Sequence, residues 1–343
     1  MLIRPITLAD IPAIESLISI AGVGITTLTN NRASLKKRVE LSLASFQKTV
    51  SKRGEEQYLF VLDDTAKGHI AGICAVTAGV GLTEAFYSYR IGTEVHASKA
   101  LKVHKTFPAL HLCNDYTGYT ELGSLYLDPD YRGGINGKLL SKSRFLFLAQ
   151  FPERFAEKVI AELRGVSNKS GYSPFWESLG KHFFSMEFSE ADYLVGIGNR
   201  SFIAELMPKH PIYVVFLSQQ AQRVIGEVHK NTLPARKILE REGFRHEGYV
   251  DIFDAGPTLE CRLKEIRAVK KSRTVNAKIT EETSGDELCL VSNTRLQGFR
   301  CCIAKAKFNA PESLEIDKQT AADLMISSGE KVRVVRLEPD DKP

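Results

Sequence analysis

The residue types with most chemistry to offer lie in one turn and one loop. The turn is Arg132-Gly133-Gly134-Ile135-Asn136-Gly137-Lys138, between the apolar run Leu125-Tyr126-Leu127 and a segment, 139–150, that reads as an amphipathic or buried helix. Backbone N–H groups at such a helix entry can face an anion, and glycines let the chain approach it without a Cβ clash. Arg132 and Lys138 add charge. Taken alone, the turn is equally well a glycine-rich connection that binds nothing. The loop is Val228-His229-Lys230-Asn231, just ahead of a helix that starts near Thr232. An imidazole titrates near neutrality, so His229 can give or take a proton at working pH. It can equally be a loop histidine that helps cap the helix. His182 and His210 read as structural.

Composition narrows the classes. A chain of 343 residues suggests two or three structural units, and 43% apolar with 25% charged residues is ordinary globular usage. The net charge of +5 comes from 46 basic and 41 acidic residues spread along the chain. Nucleic-acid binding would call for a concentrated basic face, so no nucleic-acid partner is expected. A mild positive excess suits an anionic small molecule. The six cysteines show no C-x-x-C spacing, which argues against a zinc site and for reduced thiols in a cytoplasmic protein. No metal is expected. The N-terminus carries charge and proline within five residues, unlike a signal peptide, and no run of about 18 apolar residues exists to span a membrane.

These residues need elements to position them. A strand over 2–6 leads through Thr7 to a helix with Ile11, Ile14, Leu17 and Ile18 on one face, ended by Gly22 and Gly24. A second helix is predicted over 34–50. Strands follow at 58–62, 69–80, 86–96, 109–113 and 120–127, the first two as a hairpin. After the turn and its helix come a strand at 158–163, a short helix at 173–180 closed by Gly180, and a strand at 183–188. Further on, 212–217, 249–253 and 258–262 read as strands, and 218–225 and 232–242 as helices. Residues 270–286 are polar and read as a linker. The remainder has strands near 288–291, 299–305 and 331–337 around a short helix at 318–325. Cys301 and Cys302 fall on opposite faces of one strand. The expected organisation is 1–190, a second region 191–269 that completes the first region's sheet and the site, the linker 270–286 and a small β-rich module 287–343. Oligomeric state, homo- or hetero-, stays open.

Two resemblances attach to these elements. Arg132 and Gly137, with the following helix, resemble the pyrophosphate loop of the GNAT-type acyl-CoA N-acyltransferase fold, as IRPITLADIPAIESLI resembles its opening strand and helix. The sequence departs from that loop at Ile135, where the first glycine is expected. More extensively, HASKAL, SLYLDPDYR, LLSKSRF, AELRG, GYSPFWESLGKHFFSM, FIAELMPKHPIY, VIGEVH, PARKILEREGF and DIFDAGPTLEC resemble, in order, the arginine N-succinyltransferase family. The resemblance implies an α+β fold: a mixed, mostly antiparallel sheet flanked by helices. It implies transfer of succinyl from succinyl-CoA, a co-substrate and not a resident cofactor, to the α-amino group of L-arginine, opening arginine breakdown. Related subunits of the family act on ornithine. A catalytically weak CoA-binding subunit is the contrasting expectation. The resemblance further implies that Leu125 lies at the succinyl-CoA site, with Arg132, Gly133, Gly134, Asn136, Gly137 and Lys138, and that His229 is the proton donor. A guanidinium substrate calls for a carboxylate. Asp115, Glu121, Glu162 and Asp251 are the candidates, and Lys209 could meet the succinyl carboxylate.

Overall fold

The computed structural model describes residues 1–21, 31–168, 170–197, 201–310 and 312–338, so the expected helix end at Gly22 and Gly24 lies outside the described residues. Among the described residues fifteen strands join in one sheet. They are β1 (Leu2–Pro5), β2 (Gln57–Asp64), β3 (His69–Thr77), β4 (Ser88–Ser98), β5 (Val103–Cys113), β6 (Thr120–Leu127), β7 (Lys158–Glu162) and β8 (Ile212–Tyr213). Then follow β9 (Arg245–Val250), β10 (Pro257–Arg262), β11 (Arg273–Thr280), β12 (Glu287–Asn293), β13 (Cys301–Ala310), β14 (Ser313–Asp317) and β15 (Lys331–Arg336). The spatial order is β12-β15-β11-β14-β13-β1-β2-β3-β6-β7-β10-β9-β4-β5-β8. Only β6–β7 and β11–β14 are parallel. The fold is therefore the expected α+β type, a mixed, mostly antiparallel sheet with flanking helices. Strands β9 and β10, from the region after residue 190, continue this sheet, β10 pairing with β7 from Thr258↔Glu162 to Arg262↔Lys158.

The helix Asn136–Gln150 runs through the main core. All ten of its residues over 139–148 are buried. No polar face is left, so sequence periodicity had no orientation to report. Phe147 meets Phe46, Tyr58, Phe60 and Phe299 edge-on or tilted, with ring centroids 5.0–5.8 Å apart. Lys142 lies in the same buried stretch, with its Nζ 3.1 Å from Glu242 and 2.6 Å from the Leu337 carbonyl. Glu242 also accepts from Arg267 at 2.7 Å and from the Ala268 amide at 2.8 Å.

Three expectations are corrected. The linker 270–286 contains β11. Val275 and Ala277 of β11 face inward while Arg273, Thr274, Asn276 and Lys278 face solvent, so half the strand is polar and composition alone reads as a connection. Strand β14 went unread beside it. With β12 paired to both β15 and β13, the strands β11–β15 close into a five-stranded barrel. Cys302 faces the barrel interior and Cys301 the main core, as their alternation predicted. Second, 183–188 is not a strand: helices Gly180–Phe184 and Phe188–Gly196 occupy it. Buried Trp176 organises them, with Phe184 and Phe188 at 5.2 and 6.2 Å. Gly180 opens the first of these helices instead of closing the one before, and its lack of a side chain serves packing, as a Cβ there would stand 2.3 Å from the Trp176 ring. Third, the strand at 212–217 stops after Tyr213 and continues as a 3-10 turn, Val214–Phe216.

Candidate functional site

The site begins where two parallel strands part. β6 pairs with β7 only at Thr120↔Val159 and Glu121↔Ile160. Beyond that point β6 keeps β3 on one side and has a cleft on the other. The parting coincides with a bulge, as β3–β6 register shifts between Ile73 and Ala75. Ser124 takes a left-handed φ of 52° there, a conformation that costs a non-glycine residue free energy and re-aims its neighbours. Arg38 donates to the Ser124 hydroxyl at 2.8 Å. Leu125, next in the chain, lines the cleft with its neighbours Leu122 and Leu127. The cleft encloses about 860 Å³.

The turn after β6 forms one rim. Asp128 caps the 3-10 turn Pro129–Tyr131 by accepting from the Asp130 amide at 2.9 Å. Arg132 is tied back through Nε to the Leu127 carbonyl, 3.0 Å, with its guanidinium over the Tyr126 ring. Gly133 supplies the left-handed residue, φ +86°. Ile135 is right-handed and projects its side chain into solvent, which explains how the loop closes without glycine at that place. The first amides of the helix, at Asn136, Gly137 and Lys138, have no intrahelical acceptor by helix geometry. Gly137, open apart from the Leu127 side chain at 3.8 Å, leaves the approach to them clear. Arg132, Gly133, Gly134, Gly137 and Lys138 line the cleft. The Asn136 side chain instead donates to the Tyr131 carbonyl and faces a smaller hollow across the loop. Lys138 pairs with Glu338, just past the barrel's last strand, at 2.6 Å.

His229 forms part of the opposite wall. Its amide donates to the Arg164 carbonyl at 2.9 Å, and its own carbonyl accepts from Thr232 at 2.8 Å, so backbone bonds on both sides hold it. Nδ1 accepts the Asn231 amide at 3.2 Å. A neutral ring so placed carries its proton on Nε2. Burial, then the positive charges of Arg164 and Lys230, hold the imidazole below its ordinary pKa. The ring is thus neutral at neutral pH and offers an Nε2–H.

The acidic candidates separate. Glu121, Glu162 and Asp251 line the cleft. Asp251 Oδ1 accepts from the Phe253 and Asp254 amides, and burial pushes its carboxyl up. Asp115 lies outside the cleft, exposed, where it accepts from Tyr249 Oη at 2.9 Å. Lys209 and His210 are exposed and also outside it. Sequence reasoning missed three cleft arginines, Arg144, Arg164 and Arg241. Arg144 sits in the buried helix, where its charge is masked by apolar neighbours. Arg164 sits just past the end of β7, the position next to a parallel-strand end that could have marked it.

The geometry can now be set beside known proteins. The family model described as "Arginine N-succinyltransferase beta subunit" matches residues 1–268, and that of its C-terminal domain matches residues 271–336. The chain is similar to an arginine N-succinyltransferase of Escherichia coli (strain 55989 / EAEC), 50% identical over 343 residues, covering 100% of this chain and 99% of the relative. One from Shigella flexneri matches to the same extent. Among solved structures it is similar to subunit AI of the arginine/ornithine succinyltransferase from Pseudomonas aeruginosa, at TM-score 0.91 and 38% identity, covering 98% of this chain and 99% of that one.

Proposed function

The chain belongs to the arginine N-succinyltransferase family and is an acyltransferase that moves succinyl to arginine; we propose that the cleft between β6 and β7 is where it does so, with succinyl-CoA as donor and the α-amino group as acceptor. The observation that carries this reading is the convergence, in one cleft, of the parted strand at Leu125, the helix N-terminus at Gly137 and the loop at His229. Helix amides with Arg132 and Lys138 suit the CoA pyrophosphate. The main chain of β6 beyond Glu121, which pairs with no described strand on its cleft side, suits the pantetheine arm and thioester. The amine nitrogen forms a bond to the thioester carbon, the C–S bond breaks, and one amine proton ends on the sulfur. His229 Nε2–H serves the negative charge that develops on the way. Glu121 and Glu162 are the carboxylates best placed for a guanidinium. Asp115 and Lys209 have no part in this reading. The products are N2-succinyl-L-arginine and CoA. We place the reaction in the cytoplasm, which the six free cysteines support.

Purified protein, given succinyl-CoA and a panel of amines while free thiol is followed, tests the reading. Thiol release with arginine but not with lysine or water is expected. Release with ornithine alone would move the acceptor, and no release in protein that still binds CoA would leave a binding subunit. His229→Ala should lower turnover about 10²–10⁴-fold. Unchanged turnover in a folded variant would remove His229 from the chemistry.

A further inference from the structure

Arg164 stands at the cleft end of β7, immediately behind His229. Its carbonyl accepts the His229 amide at 2.9 Å. The segment is seated without slack: a Cβ on Gly165 would lie 2.4 Å from the Asp254 carbonyl. Among the described residues the guanidinium has one hydrogen bond from this fixed backbone, Nη2 to the buried Ser167 hydroxyl at 2.9 Å. Its Nε–H is buried and meets no acceptor among the described residues. Two acids act on it through their charge: Asp192, which lines the cleft, and Asp254, already committed through its two oxygens, which accept the Gly165 and Gly256 amides at 2.7 and 2.8 Å. A guanidinium stays charged at any working pH and presents a planar fork that matches a carboxylate. A half-buried fork with an unused donor, fixed beside the proton donor and lining the cleft, calls for an anion brought in by a ligand.

We infer that Arg164 receives a substrate carboxylate. This rests on the reading of the cleft as the succinyl-transfer site. Two carboxylates enter there, the tail of the succinyl group and the α-carboxylate of the amino acid. Both present the same bidentate face to the fork, and each would set specificity, one for a dicarboxylic acyl donor and one for an amino-acid acceptor over a plain amine.

The two sources separate with paired substrates. Butyryl-CoA is the donor without its carboxylate, and agmatine is arginine without its own. Wild type, Arg164→Gln and Arg164→Lys are assayed by thiol release with all four pairings, after circular dichroism has shown that the variants fold. For Arg164→Gln, kcat/KM should fall about 10²-fold for the carboxylate-bearing member of one pair and stay near wild type for the analogue that lacks the carboxylate. Arg164→Lys should recover part of the loss. Loss confined to succinyl-CoA against butyryl-CoA places the donor tail on Arg164. Loss confined to arginine against agmatine places the acceptor there. Equal loss in all four pairings, or none, overturns the inference. Absence of transfer in wild type would sink the functional reading alone, because calorimetric affinities for the same ligands still decide Arg164: a Kd ratio unchanged by Arg164→Gln within both pairs overturns it.

Discussion

His229 is held so that its Nδ1 lone pair is spent on the Asn231 amide. Protonation would set a second hydrogen against that amide, so the ring must leave its pose when it becomes charged. Because burial and the charges of Arg164 and Lys230 lower its pKa, the neutral ring should survive as pH falls past the ordinary histidine value of about 6.5. The ratio of wild-type to His229→Gln rates cancels the titration of the amine substrate. That ratio should stay level down to about pH 6.5 and fall only below it. A midpoint above that value would show that the ring is not held as described. At this scale the sequence was informative about the histidine and the glycine turn, because short segments carried them. Arg164 was silent, since its meaning depends on Asp254 and on Ser167, which folding alone brings to it.

Elements position these groups by departing from regularity. β6 carries its bulge at Ser124, with φ +52° on a residue that has a side chain. Ser124→Val should cost about 1–3 kcal/mol, read as a lower denaturant midpoint, because a branched side chain resists that conformation. It should also raise KM for succinyl-CoA. Ser124→Gly keeps the backbone at the expense of the Arg38 contact, and a KM as high as that of the valine variant would show that the hydroxyl, not the bulge, matters. Strands buried on both faces were legible as continuous apolar runs, as β2 and β3 were. The bulge went unread, although TELGSLYL shifts phase there: Leu125 stands three places and not two after Leu122. β11 was lost because its inward residues, Val275 and Ala277, are small and few.

Across the whole molecule, Glu242 is the junction. Its carboxylate, fully buried, joins Lys142 of the loop's helix to Arg267, and Lys142 and Arg267 both reach the Leu337 carbonyl at the barrel's exit. Glu242→Ala leaves a buried cation without its anion, and a loss of about 3–5 kcal/mol in urea unfolding is expected. A loss under about 1 kcal/mol, the range of exposed pairs, would mean that the barrel is attached by apolar contacts alone. Such long-range joints are what single-sequence reading cannot reach: Lys142 and Glu242 lie 100 positions apart. The continuation of one sheet from the first region into β9 and β10 was expected only because His229 has to reach Leu125; which strands pair is named by no local pattern.

The parting of β6 from β7 has a consequence for how this protein tolerates change. If the donor's arm is held by peptide groups, the information for holding it is not stored in side-chain identity at Leu125. Leu125→Ala would then keep most donor affinity, while Leu125→Pro, which deletes one amide hydrogen, would lose it. A side-chain scan would pass over this wall as unimportant, and only replacement of the amide itself, by proline or by an ester bond, would reveal it.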